Sequence, residues 1–207
     1  MSCVFILTLL WLSCLNAADG SFEKVKPDVQ NDSDLSPGRV EISYYLHIQP
    51  RMASNQFAVW IEDLGGNYIA TVFVTHYTAH GGYQHRPLSL PEWRRTSNWE
   101  EAGTDYVDAV SGATPVSGWH TIIWDCRDEH GFSVAPGRYI YRIEGNIFWE
   151  NMVIWSGEIQ IGDSPDQSRA EARYIPERAH RKGILLEEVV AEFIPWQFHF
   201  PAKPKPE

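Results

Sequence analysis

The sequence predicts an all-β fold, an antiparallel β-sandwich of about seven strands with short irregular helical segments. Three observations carry this expectation. Short runs rich in β-branched and aromatic side chains recur from residue 40 to residue 195. Stretches containing Gly, Pro, Asn and Asp separate them, and these residue types turn a chain. Aromatic residues make up 13% of the 207 residues, and their broad side chains suit a pleated, half-buried surface.

Residues 40–49 (VEISYYLHIQ) alternate, so that Val40, Ile42, Tyr44, Leu46 and Ile48 share one face of a first strand. Residues 57–62 (FAVWIE) and 68–75 (YIATVFVT) form the next two, joined by DLGGN, a composition that supplies positive φ where a hairpin needs it. Residues 76–93 read as an irregular, solvated, aromatic-rich surface loop. A short helix is expected within residues 91–102 (PEWRRTSNWEEA), with Pro91 at its first turn. Residues 119–124 (WHTIIW) and 138–143 (RYIYRI) read as the two arms of a hairpin, closed through Asp125, Asp128, Gly131, Pro136 and Gly137. Another strand follows at residues 151–161 (NMVIWSGEIQI). Residues 163–183 are charged, contain Pro165 and Pro176, and read as a connector with at most one or two helical turns. Residues 185–193 (LLEEVVAEF) fit helix or strand; the Val-Val pair and the aromatics that follow favour a final strand. No repeat of fixed period is visible.

These segments divide the chain into a signal peptide at residues 1–18, a flexible leader at 19–39, one sandwich domain at 40–195 and a disordered tail at 196–207. Residues 4–15 (VFILTLLWLSCL) are an apolar run followed by Asn16, Ala17 and Ala18, the layout of a secretory signal with its small-residue cleavage site. The expected location is therefore periplasmic or secreted, with no membrane span after cleavage. A lipoprotein anchored at Cys14 is the lesser reading, since Trp11 stands where Leu is usual. Cleavage removes Cys3 and Cys14 and leaves Cys126 without an intramolecular disulfide partner. The net charge of −10 argues against nucleic acid, whose phosphates need a basic surface.

Several chemistries are suggested and fail to assemble. His76, His80 and His85 offer imidazoles suited to Zn or Cu, but their spacing and the absence of Cys or acidic ligands inside the loop favour a plain surface segment. Asp125, Asp128 and Glu129 lack the acidic spacing of a calcium loop. Ser111, His120 and Asp125 have no nucleophile elbow around them, and His120 and Asp125 would face opposite sides of a strand.

The residues WDCRDEHG at 124–131, followed by PGRY at 136–139, resemble the hairpin of Ig-like domains in the flagellar hook-cap scaffold FlgD. Residues 57–62, RPLSLPEW at 86–93 and residues 108–139 together are similar to a family of predicted periplasmic proteins known only as a domain of unknown function, over roughly residues 40–195. Cys126 stands where the hairpin pattern normally has Gly; a positive φ there would impose strain on a side chain. A second resemblance overlaps the first. Asp108-Ala-Val-Ser111-Gly112-Ala113-Thr114 is similar to the flavinylation motif of FMN-binding domains in ion-pumping quinone oxidoreductases. That resemblance implies FMN joined by a flavin transferase to Thr114 through a phosphoester, with Asp108, Ser111, Gly112 and Ala113 as the recognition and phosphate-facing backbone. Trp119, Tyr106 or a tyrosine of residues 76–93 would stack on the flavin ring. A membrane redox protein is then the implied partner. The competing expectation is a non-catalytic Ig-like module that holds another envelope protein and carries no cofactor.

Overall fold

A computed structural model describes residues 36–52 and 54–196. The expected signal peptide, the leader through residue 35 and the tail from residue 197 lie outside the described residues. Among the described residues ten strands form two sheets. The first holds β5 (Gly118–Trp124), β1 (Gly38–Leu46), β10 (Leu186–Pro195) and β8 (Asp166–Arg169), in that order. The second runs β4 (Ser111–Gly112), β3 (Tyr68–Thr75), β2 (Phe57–Asp63), β6 (Gly137–Phe148), β7 (Asn151–Ile161) and β9 (Glu171–Ile175). All pairings between these strands are antiparallel except the short β3–β4 ladder. This is the all-β sandwich that the sequence predicts.

The core lies between the inner faces. Val40, Ile42, Tyr44 and Leu46 of β1 meet Phe57, Val59 and Ile61 of β2 and Tyr141 and Ile143 of β6, all of them buried. Each fully buried large apolar side chain contributes roughly 1.5–3 kcal/mol. Strict alternation along β1 gives one buried and one half-buried face. β2 differs, being buried on both faces. Its second face, with Ala58 and Trp60, packs under a third layer built from residues 76–110.

That third layer corrects the expectation of a solvated loop. Residues 76–110 hold α1 (His76–Ala79), α2 (Pro91–Thr96) and α3 (Thr104–Val110), with single 3-10 turns at Gly82–Gln84 and Trp99–Glu101. Trp93 is completely buried, its ring 4.5 Å from Trp99 and its Nε1 donating to Thr71 Oγ1 at 2.9 Å. Trp99 Nε1 donates to Ala79 O at 3.0 Å. The aromatics of this segment close a second core. Trp93 and Trp99 do not face solvent because the apolar outer face of β2 and β3 must be covered, whereas Tyr77 stays exposed.

Two further corrections concern connectivity. β5 and β6 do not form a hairpin: β5 pairs with β1, whereas β6 pairs with β2 and β7 in the other sheet. Residues 125–136 cross from one sheet to the other, with a single bridge between Arg127 and Ser133. Cys126 lies on this crossing, buried, with φ of +58°, so the strained position read from the sequence is real. Residues 163–183 supply the edge strands β8 and β9 before a 3-10 segment at Glu177–Lys182, and are more than a connector.

The open edge of β3 is covered piece by piece. β4 pairs with it at Val74 and Thr75. Below that, Tyr106 Oη accepts from Thr71 N at 2.8 Å, and Glu129 N donates to Ile69 O at 2.9 Å. Filling the free positions of an edge strand in this way removes a template for pairing with other chains.

Candidate functional site

The segment 108–114 starts as the last turn of α3, becomes β4 and then leaves the sheet. Thr104–Val110 brings Tyr106 against β3, where its hydroxyl also meets Tyr68 Oη at 2.9 Å. Burial pushes the Tyr106 phenol above its ordinary value, so it remains a neutral hydroxyl. Ser111 and Gly112 then pair in parallel with Val74 and Thr75. Gly112 is required by contact rather than by φ: a Cβ there would come within 2.7 Å of Phe73 Cε2. Gly112→Ala is expected to destabilise the fold by roughly 1–3 kcal/mol, the usual effect of overpacking. A urea midpoint equal to that of the wild type would show that Phe73 gives way freely.

Beyond Gly112 the chain is released. Asp108, Ala113 and Thr114 are exposed, while Ser111 and Gly112 are half-buried. Among the described residues the Thr114 hydroxyl takes part in no hydrogen bond. Ser117 ties down the following stretch, its Oγ accepting from Ile48 N at 2.9 Å. Thr114 thus presents a hydroxyl to solvent between two anchored points.

One contributor was not visible in the sequence. His80, just past α1, places its Nε2 3.1 Å from Ser111 Oγ and 3.7 Å from Asp108 Oδ1. Its ring stacks on His76, with centroids 4.0 Å apart. The two histidines therefore brace the motif. His85 belongs elsewhere, lining a cavity with Gln56 and Trp149. No group of three or more His, Cys, Asp or Glu gathers to hold a metal among the described residues.

The aromatic rings considered as flavin stacking partners have different fates. Tyr106 is committed to β3. Tyr77 and Tyr83 lie under guanidinium groups, of Arg86 at 4.7 Å and Arg94 at 4.5 Å. Trp119 is exposed on β5, with its ring edge-on to Tyr45.

The other constellations separate as well. His120 Nε2 is bonded to Val116 O, and Ser111 meets His80 instead. Asp128 Oδ1 accepts from the backbone N–H groups of His130 and Phe132, a turn device and not a cation ligand.

Residues 39–175 match a family described as Predicted periplasmic protein (DUF2271). No curated protein and no solved structure matches the chain. Among the described residues no helix is long and apolar enough to cross a membrane.

Proposed function

The chain belongs to the DUF2271 family of predicted periplasmic proteins, and from that premise we propose that it is a carrier of covalent FMN in extracytoplasmic electron transfer, with the flavin on Thr114. The observation that supports this is the placement of the Asp-x-x-Ser-Gly-Ala-Thr string: pinned at Ser111 and Gly112, and ending on an exposed threonine with an unused hydroxyl. Attachment forms a P–O bond from Thr114 Oγ1 to the FMN phosphorus of a flavin dinucleotide. The phosphoanhydride breaks, AMP leaves, and the hydroxyl proton passes to the transferase. Bound FMN supplies one- and two-electron redox chemistry.

The chain's own residues position that group. β3 and Phe73 hold the approach to Thr114, and His80 keeps Asp108 and Ser111 in register. The partners are a flavin transferase, which acts once, and a membrane redox protein that exchanges electrons with the loaded carrier. The protein is not an enzyme on its own in this reading.

Intact-mass measurement after co-expression with a flavin transferase tests it. Wild type is expected to gain the mass of FMN less one water. Thr114→Ala is expected to gain nothing, whereas Thr114→Ser keeps a hydroxyl and part of the gain. A wild type that gains no mass sinks the proposal. A non-catalytic Ig-like module holding another envelope protein then remains, favoured by Trp119 and Ile123, 60% and 57% exposed on one face of β5.

A further inference from the structure

We propose that the cavity beneath residues 85–89 binds a small aromatic carboxylate, a single ring with one anionic group. This site is separate from Thr114 and does not rest on the flavin reading. The cavity holds about 120 Å³ and lies between the 85–89 segment, Gln56, Asn146 and Trp149. A protein cavity of roughly 150 Å³ with apolar walls accepts benzene, so this space is of ring size. Leu88 and Trp149, each 49% exposed, form its mouth. Trp149 is held there in the left-handed region, at φ of +49°.

The walls are braced before any ligand arrives. Asn146 Oδ1 accepts from Leu90 N at 3.2 Å and Ser89 Oγ at 3.4 Å. Its Nδ2 donates to Leu88 O at 3.1 Å and Trp149 O at 3.5 Å. One amide thus clamps both sides of the opening, leaving no hydrogen-bonding capacity to offer a ligand.

Gln56 is different. It is 8% exposed, and its Oε1 accepts from Thr75 Oγ1 at 2.8 Å and Thr78 Oγ1 at 3.0 Å. Its amide nitrogen meets no acceptor among the described residues. That nitrogen is not among the sealed unpartnered atoms, so it stays open to a ligand oxygen entering the cavity. Arg86 supplies the charge. Its guanidinium lies over Tyr77 and pairs with no carboxylate among the described residues, in a chain of net charge −10. A ring with a carboxylate satisfies all three features: apolar volume, an unused amide donor and an unpaired cation beside it.

Titration of the purified full chain with benzoate, followed by NMR, tests the proposal. The expected result is saturable binding that shifts the Gln56 side-chain amide and the Trp149 indole. Arg86→Gln is expected to weaken it by roughly tenfold or more, the usual scale for a charge-assisted contact. Trp149→Ala, at an exposed position that spares both cores, is expected to weaken it several-fold. Absence of saturable benzoate binding, or binding unchanged in both variants, overturns the proposal.

Discussion

Trp93→Ala is expected to cost roughly 3–5 kcal/mol of stability, the range for removing a large buried aromatic. The side chain is fully buried, stacks on Trp99 and donates to Thr71 on β3. Truncation therefore opens a cavity and also leaves Thr71 Oγ1 without its indole donor. Urea unfolding followed by far-UV circular dichroism measures the loss, with Trp119→Ala as the exposed comparison, expected to stay within about 0.5 kcal/mol. A loss below about 1 kcal/mol for Trp93→Ala would mean that the helical layer opens independently of the sandwich beneath it.

Stability is expected to fall between pH 4.5 and pH 7 because of Glu144. Burial pushes this carboxyl up from 4.5 to about 7, opposed by the N–H groups of Trp93 and Glu92, which donate to its two oxygens at 2.7 and 3.3 Å. Between those pH values the folded chain binds a proton that the unfolded chain has released, so raising the pH favours unfolding. The contribution is fully present below 4.5 and is lost as pH rises through about 7; on the scale of this shift it amounts to a few kcal/mol. Glu144→Gln cannot ionise and is expected to remove that slope from urea midpoints measured at pH 5 and pH 8. A variant with the same slope as the wild type would assign the pH dependence to another group.

Both predictions concern the layer that sequence patterns described least well. Strands β1, β2, β3, β7 and β10 were legible because each alternates or is bounded by turn residues. The DLGGN link between β2 and β3 also folds as its composition says, with Gly66 at φ of +81°. Period-two alternation reports that residues 119–124 and 138–143 are strands, but not which sheet receives them. Adjacency in sequence suggested a hairpin, and the twelve residues between β5 and β6 instead carry the chain across the sandwich. β8 and β9 escaped notice because DQSR and EARYI, at the margins of their sheets, are mostly exposed and lack a buried alternating face.

The candidate site was half legible. Its string, from Asp108 to Thr114, could be read directly from the residues. His80 could not, because no local periodicity links it to Ser111 across 31 positions; only the placement of β4 beside the end of β3 brings them together. The cavity at Gln56 has the same origin, in residues from three separate segments.

The strained crossing at Cys126 has a consequence for life in an oxidising compartment. The thiol is sealed in the sandwich interior, and burial, reinforced by the charge of Asp125, pushes it up to about 12. It is thus protonated and out of reach, and thiol exchange requires an accessible thiolate. Folded molecules can be crowded together under oxidants without cross-linking through this residue. An alkylating reagent that labels Cys126 would consequently count only those copies whose sandwich has come apart.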